Sequence, residues 1–124
     1  MNREIKFRGK RIDNNKWIYG NLSIRKFNNE IEIFIRPFDR LKSYQVIPNT
    51  IGQYTGLKDK NEKEIYDGDI VKTETVEGIG RIIYRDDFAS FVVDFESGCW
   101  DSMEVIMEII GNIYENPELL ERKK

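Results

Sequence analysis

Apolar and polar positions alternate with a period of two along much of the chain, the pattern of half-buried β-strands. Ile5 and Phe7 fall on one side of residues 4–8, with Glu4, Lys6 and Arg8 on the other. Asp13-Asn14-Asn15-Lys16 then signals a turn, because Asn and Asp tolerate left-handed backbone. Residues 17–24 are rich in β-formers, so a hairpin is predicted. Asn28-Asn29 marks a second turn, after which Ile31, Ile33 and Ile35 line one strand face until Pro37 ends it. Residues 37–50 are polar and irregular, 51–54 read as a short strand, and the charged run 56–63 reads as an exposed turn.

The alternation resumes at Glu64-Ile65-Tyr66. Asp67-Gly68-Asp69 forms a tight turn into a strand over 70–73, and Gly78 and Gly80 bracket another. Strands follow over 81–85 and 89–95, with Ala89, Phe91, Val93 and Phe95 sharing a face. Residues 103–110 fit a helix face and a strand face equally well by spacing. Their β-branched content favours a strand running to Ile113. Asn116-Pro117-Glu118 carries the marks of a helix start, predicting a short C-terminal helix over 117–122. The predicted fold is mostly β and antiparallel. An N-terminal β-hairpin subdomain spans 1–50, and an SH3-like barrel with the C-terminal helix spans 51–124; the two can form one compact domain.

Charge adds an asymmetry to this picture. Residues 1–63 hold 14 Lys or Arg against 7 Asp or Glu, and residues 64–124 hold 6 against 15, for a net −2. Such a split suits a basic binding face or two halves that attract one another within or between chains. The opening Met1-Asn2-Arg3-Glu4 is not an apolar leader, no run approaches the length of a membrane span, and Cys99 has no cysteine to pair with. A cytoplasmic location is expected.

Candidate chemistry is sparse. The chain has no histidine, which removes the commonest general base and the Ser-His-Asp and Cys-His arrangements. Cys99 has no cationic neighbour to activate it and reads as a small, part-buried packing residue beside Trp100. Asp67, Asp69, Asp86, Asp87, Asp94, Glu96 and Asp101 are oxygen donors for a divalent cation, but their spacing matches turns and a solvated strand face better than a metal loop. No cofactor, catalytic residue or small-molecule substrate is expected. The stronger signal is the interleaving of cations with aromatics through Lys6-Phe7-Arg8, Lys10-Arg11, Lys16-Trp17, Arg25-Lys26-Phe27 and Arg36-Pro37-Phe38, a combination that serves nucleic-acid contact. Simple strand alternation, with aromatics inward and cations outward, is the competing explanation.

One stretch is more specific. Ile51-Gly52-Gln53-Tyr54-Thr55-Gly56-Leu57-Lys58-Asp59, followed by Glu64-Ile65-Tyr66-Asp67-Gly68-Asp69-Ile70-Val71, resembles the YopX family, small proteins of phages and prophages of mostly Gram-positive bacteria. The opening Arg3-Glu4-Ile5-Lys6-Phe7-Arg8 and the closing Ile110-Gly111-Asn112-Ile113-Tyr114 through Leu120 agree. Glu62 departs from the pattern, where relatives carry glycine. The resemblance implies a phage or prophage origin, a bacterial host cytoplasm, a largely β fold and no established enzymatic activity. Within the motif, Gly56, Asp59, Gly68 and Asp69 read as turn formers, and Gly111 as a site of close backbone approach or a bulge. Three functions follow as expectations. The first is a binding module for a protein partner or for a copy of itself. The second is nucleic-acid binding through Lys10, Arg11, Lys16, Arg25, Lys26 and Arg36. The third is a carboxylate- and metal-dependent enzyme.

Overall fold

The computed structural model of the chain describes residues 4–74, 77–95, 99–103 and 106–120. Among the described residues the backbone is mostly extended, and helix is confined to two short 3₁₀ turns, Pro48–Thr50 and Pro117–Leu120. No helix among the described residues is long and apolar enough to cross a membrane. The chain divides into two units, residues 1–54 and 55–124. The division falls inside a strand.

Unit one is an antiparallel sheet of β1 (Phe7–Lys10), β2 (Trp17–Phe27), β3 (Glu30–Arg36), β4 (Tyr44–Gln45) and the start of β5 (Gly52–Lys58), in the order β4-β3-β2-β1-β5. Asn28 and Asn29 both take positive φ, 47° and 70°. This is the two-residue turn whose twist matches a hairpin, and it fixes the β2–β3 register from Phe27 opposite Glu30 to Asn21 opposite Arg36. That register puts Ile18, Leu22, Ile33 and Ile35 on one face, where Ile18, Ile35 and Val46 form a buried cluster flanked by Phe7, Tyr44 and Ile51.

In unit two the end of β5 pairs with β6 (Glu64–Tyr66). A second, five-stranded antiparallel sheet contains β7 (Asp69–Thr73), β8 (Ile79–Arg85), β9 (Ser90–Phe95), β10 (Trp100–Ser102) and β11 (Met107–Asn112), in the order β10-β9-β8-β7-β11. Val71, Ile82, Val93, Phe95 and Met107 form its core with Ile65 from β6. Phe91 packs against that core as the alternation predicts, whereas Ala89 lies in the turn before β9 at φ 51°.

Two expectations are corrected. The SH3-like barrel is not closed, because β10 and β11 are the two edges of an open sheet and do not pair with each other among the described residues. Each has one neighbour, β9 and β7 respectively, and β10 is only three residues long. The C-terminal helix is also absent over the described residues. Residues 117–120 make a single 3₁₀ turn, too short to propagate an α-helix. Asn116 turns its side-chain oxygen back to the Asn112 N–H, at 3.2 Å. The region 107–112 is strand, as its β-branched residues favour. Glu104 and Val105, within the ambiguous stretch, lie outside the described residues.

Candidate interaction surface

Pairing along the long β2–β3 hairpin is uneven. β1 covers β2 only from Trp17 to Gly20, and β4 covers β3 only at Phe34 and Ile35. Residues 22–27 and 30–32 therefore form a two-stranded ribbon with no further strand on either outer side among the described residues. One face carries Ile24, Lys26, Ile31 and Ile33, and the other carries Arg25, Phe27, Glu32 and Phe34. Ile24 and Phe27 are each 64% exposed and Ile31 is 60% exposed. The Arg25 guanidinium stacks over Phe34 at 3.9 Å from the ring centre.

The six cations singled out in the sequence do not gather into one patch. Lys10, Arg25 and Arg36 share a sheet face, Lys26 occupies the opposite one, and Lys16 lies in the β1–β2 turn. Lys10 reaches over Trp17 at 5.7 Å. Arg36 donates to the Arg40 carbonyl at 2.8 Å. Arg11 grips Asp13 through two bonds of 2.9 and 2.6 Å and lies over Tyr44 at 4.1 Å. That grip holds the Asp13 carboxyl below its ordinary value. Arg11, Lys16, Trp17 and Tyr19 line a shallow groove of about 330 Å³ together with Asp39 and Arg40, which sequence reasoning passed over. Strand alternation explains Phe7, which faces the core. It fails for Trp17 and Phe34, which share a face with Arg8 and Arg25 and stack against them.

Unit two has an exposed aromatic cluster of its own. Phe88 and Trp100 meet with ring centres 4.7 Å apart, and Arg85 lies over Phe88 at 4.5 Å. Asp87 fixes Arg85 through bonds to Nε and Nη2, at 3.0 and 2.5 Å. Arg85-x-Asp87-Phe88 carries this cluster in the sequence, where Asp86 and Asp87 read only as turn carboxylates. Cys99, expected to be part-buried, is exposed. Among the described residues no group of three or more His, Cys, Asp or Glu is placed to hold a metal ion. Glu96, one of the candidate ligands, lies outside them.

The motif residues do structural work beyond forming turns. Asp59 is buried and accepts three backbone N–H groups: Asn61 and Lys63 on Oδ1 at 2.8 and 2.9 Å, and Ile109 on Oδ2 at 3.0 Å. Burial pushes its carboxyl up, but the amides of Ile109, Lys63 and Asn61, with the Lys63 charge, outweigh that and hold it below the ordinary range. Asp69, also buried, accepts the Tyr66 N–H at 2.7 Å across the β6–β7 turn. Gly68 occupies that turn at φ 97°, and Gly56 bends β5 at φ 93°. Gly111 follows Ile110 at a register shift between β11 and β7, and a Cβ on it would lie 2.6 Å from Asn116 Oδ1.

Glu62 adopts φ 67°, the left-handed region that glycine enters at least cost. Glu62→Gly is therefore expected to stabilise the protein by about 0.5–1 kcal/mol, read as a higher urea midpoint with unchanged slope. A loss of stability would contradict this account of the turn.

These features define a small all-β protein with an open hairpin arm and a motif spent on backbone staples. The chain belongs to the YopX family, whose model, described as YopX protein, matches residues 6–121. It is also similar to the crystal structure of protein EF1440 from Enterococcus faecalis, with 25% identity, a TM-score of 0.53, and coverage of 96% of this chain and 99% of that one. No curated protein matches the chain.

Proposed function

We propose that this YopX protein is a non-enzymatic binding module of a phage or prophage, acting in the host cytoplasm through protein–protein contact at the β2–β3 ribbon. The exposure of Ile24 and Ile31 on one face and Phe27 on the other, on an arm without sheet neighbours among the described residues, carries this reading. A lone two-stranded ribbon is marginally stable in water, and clustered exposed apolar side chains mark contact surfaces. The charge pattern supports a protein partner over nucleic acid. Glu32 stands opposite Arg25 on one face of the ribbon, Lys26 lies on the other face opposite Ile31, and the remaining cations are divided between sheet faces and a turn.

A photo-crosslinking residue at position 27, with position 41 as a control, tests this in the host cell. Leu41 is 96% exposed and outside the ribbon. The expected result is a protein adduct from position 27 that position 41 does not give. A nuclease-sensitive adduct, or none above the control, would overturn the proposal.

A further inference from the structure

We infer that the ribbon takes its partner by strand addition: an extended segment of another protein, alternating acidic and apolar residues, pairs antiparallel along the open edge of β2. The inference rests on the reading of the ribbon as a protein-binding arm and names what the arm binds and how. In a two-residue hairpin the residues flanking the turn bond each other, and bonded pairs recur at alternate positions. Phe27 and Glu30 flank the turn here, so Phe27, Arg25 and Ser23 aim their backbone groups at β3. Leu22, Ile24 and Lys26 aim theirs at the outer side, where no described strand pairs with β2 beyond Gly20. The outer edge of β3 offers less. Ile33 already gives its carbonyl to the Val46 N–H at 3.0 Å, which leaves Ile31 as the open position among the described residues.

The side chains beside that edge determine what an added strand must carry. From Asn21 to Phe27, β2 holds two cations, Arg25 and Lys26, and no acid. Arg25 shares one face with Phe27, and Lys26 shares the other with Leu22 and Ile24. β3 already meets this row from the inner side, with Glu32 opposite Arg25, Ile31 opposite Lys26 and Ile33 opposite Ile24. A strand on the outer side meets the same row, so the same alternation fits: acids on the Arg25 face and apolar residues on the Ile24 face. Lys26 then lays its stem along apolar neighbours and keeps its ammonium in water. Strand addition also suits the exposure of apolar residues on both faces, Ile24 and Ile31 on one and Phe27 on the other, because an added strand extends both faces at once. Main-chain bonds give affinity in this mode, and alternate side chains give specificity. A second copy of the chain fits poorly. Its β2 adds two more cations and no acid, and its β3, which carries the acids, is open only at Ile31.

Fluorescence anisotropy with the full chain, up to about 100 µM, tests this on labelled peptides of about eight residues. One peptide alternates glutamate with valine, and a second alternates lysine with valine. A third is the glutamate peptide N-methylated at its valines, whose N–H groups face β2 when the acids face Arg25. The glutamate peptide is expected to bind, less tightly at high salt. The lysine peptide should bind at least about tenfold more weakly, and N-methylation should abolish binding. Arg25→Glu/Lys26→Glu should reverse the preference between the two charges, and the reversal also shows that the variant is folded. Ile24→Pro removes an outward N–H without touching the β2–β3 bonds and should lose the peptide, whereas Ile31→Pro, on the opposite edge, should keep it. No binding of the glutamate peptide at about 100 µM, equal binding of the two charges, or undiminished binding after N-methylation would each overturn the inference. A position-27 protein adduct without peptide binding would leave the binding arm standing and remove strand addition, whereas no adduct would remove both.

Discussion

Asp59→Ala is expected to destabilise the protein by about 3 kcal/mol, lowering the thermal midpoint by about 10 °C. The carboxylate is the hub of three backbone bonds, two within the 59–63 loop and one across to Ile109 in β11. Removing it strands the Ile109 amide, while the loop amides regain water, so the cost falls well short of three full desolvation penalties. Asp59→Asn should cost less, because its remaining oxygen can still serve Asn61 and Lys63. Its NH₂, however, meets the Ile109 N–H donor to donor. Hydrogen exchange should therefore quicken at Ile109 in both variants and at Asn61 and Lys63 mainly in the alanine variant.

The same carboxylate sets a pH dependence. Its pKa is depressed in the folded state, so its contribution is fully present above the ordinary aspartate value of about 4 and is lost as pH falls through the lower folded value. The stability gap between wild type and Asp59→Asn should thus be constant near neutrality and narrow as the pH falls below about 4. A gap that persists undiminished throughout acid titration would show that the staple does not depend on the charge.

Features of this chain decided by local chemistry are legible in its sequence, and those decided by long-range contact are not. Asn28-Asn29 was legible as a turn because two consecutive left-handed residues are a local requirement that Asn meets. The antiparallel strands were legible because alternation is local. Asp59 was read as one residue of a charged, exposed turn, and nothing nearby reveals its acceptance of an N–H from Ile109, fifty residues on. β5 likewise extends through Leu57 and Lys58 because β6 pairs with it, although the run looks like loop. The barrel failed for the opposite reason. Turn chemistry predicts strands and reversals well, but closure depends on which edges meet, and no residue of β10 or β11 announces that.

The interaction surface was half legible. The sequence shows cations interleaved with aromatics but not which side of the sheet each takes, since a shift of one residue in register moves every side chain to the other face. Once the Asn28-Asn29 turn sets the register, Arg25 falls onto Phe34 and Lys26 onto the isoleucine face. The ribbon's exposure could not be read from β2 or β3 at all. It follows from the shortness of β1 and β4, which leave the distal half of the hairpin without neighbours.

Gly68→Ala is the other substitution with a large expected effect, also about 3 kcal/mol, for two separable reasons. At φ 97° an L-residue is strained, and a Cβ there would sit 2.9 Å from Cε2 of the Tyr114 ring. The backbone cannot shift to relieve either, because the Gly68 N–H donates to the Ile82 carbonyl and its own carbonyl accepts from Ile113, both at 2.9 Å. The following Asp69 is tied in turn to the Tyr66 N–H. A double-mutant cycle with Tyr114→Ala divides the cost: without the ring only the backbone strain remains, so Gly68→Ala should cost about 1 kcal/mol less in that background. The remaining cost, measured from urea unfolding, belongs to the φ angle alone. Zero coupling would remove Tyr114 from the explanation, and a neutral Gly68→Ala would mean that the β6–β7 turn does not need its glycine. The motif glycine, on this argument, is required by a turn bonded on both sides and roofed by an aromatic ring, which accounts for its place in the motif without any role in chemistry.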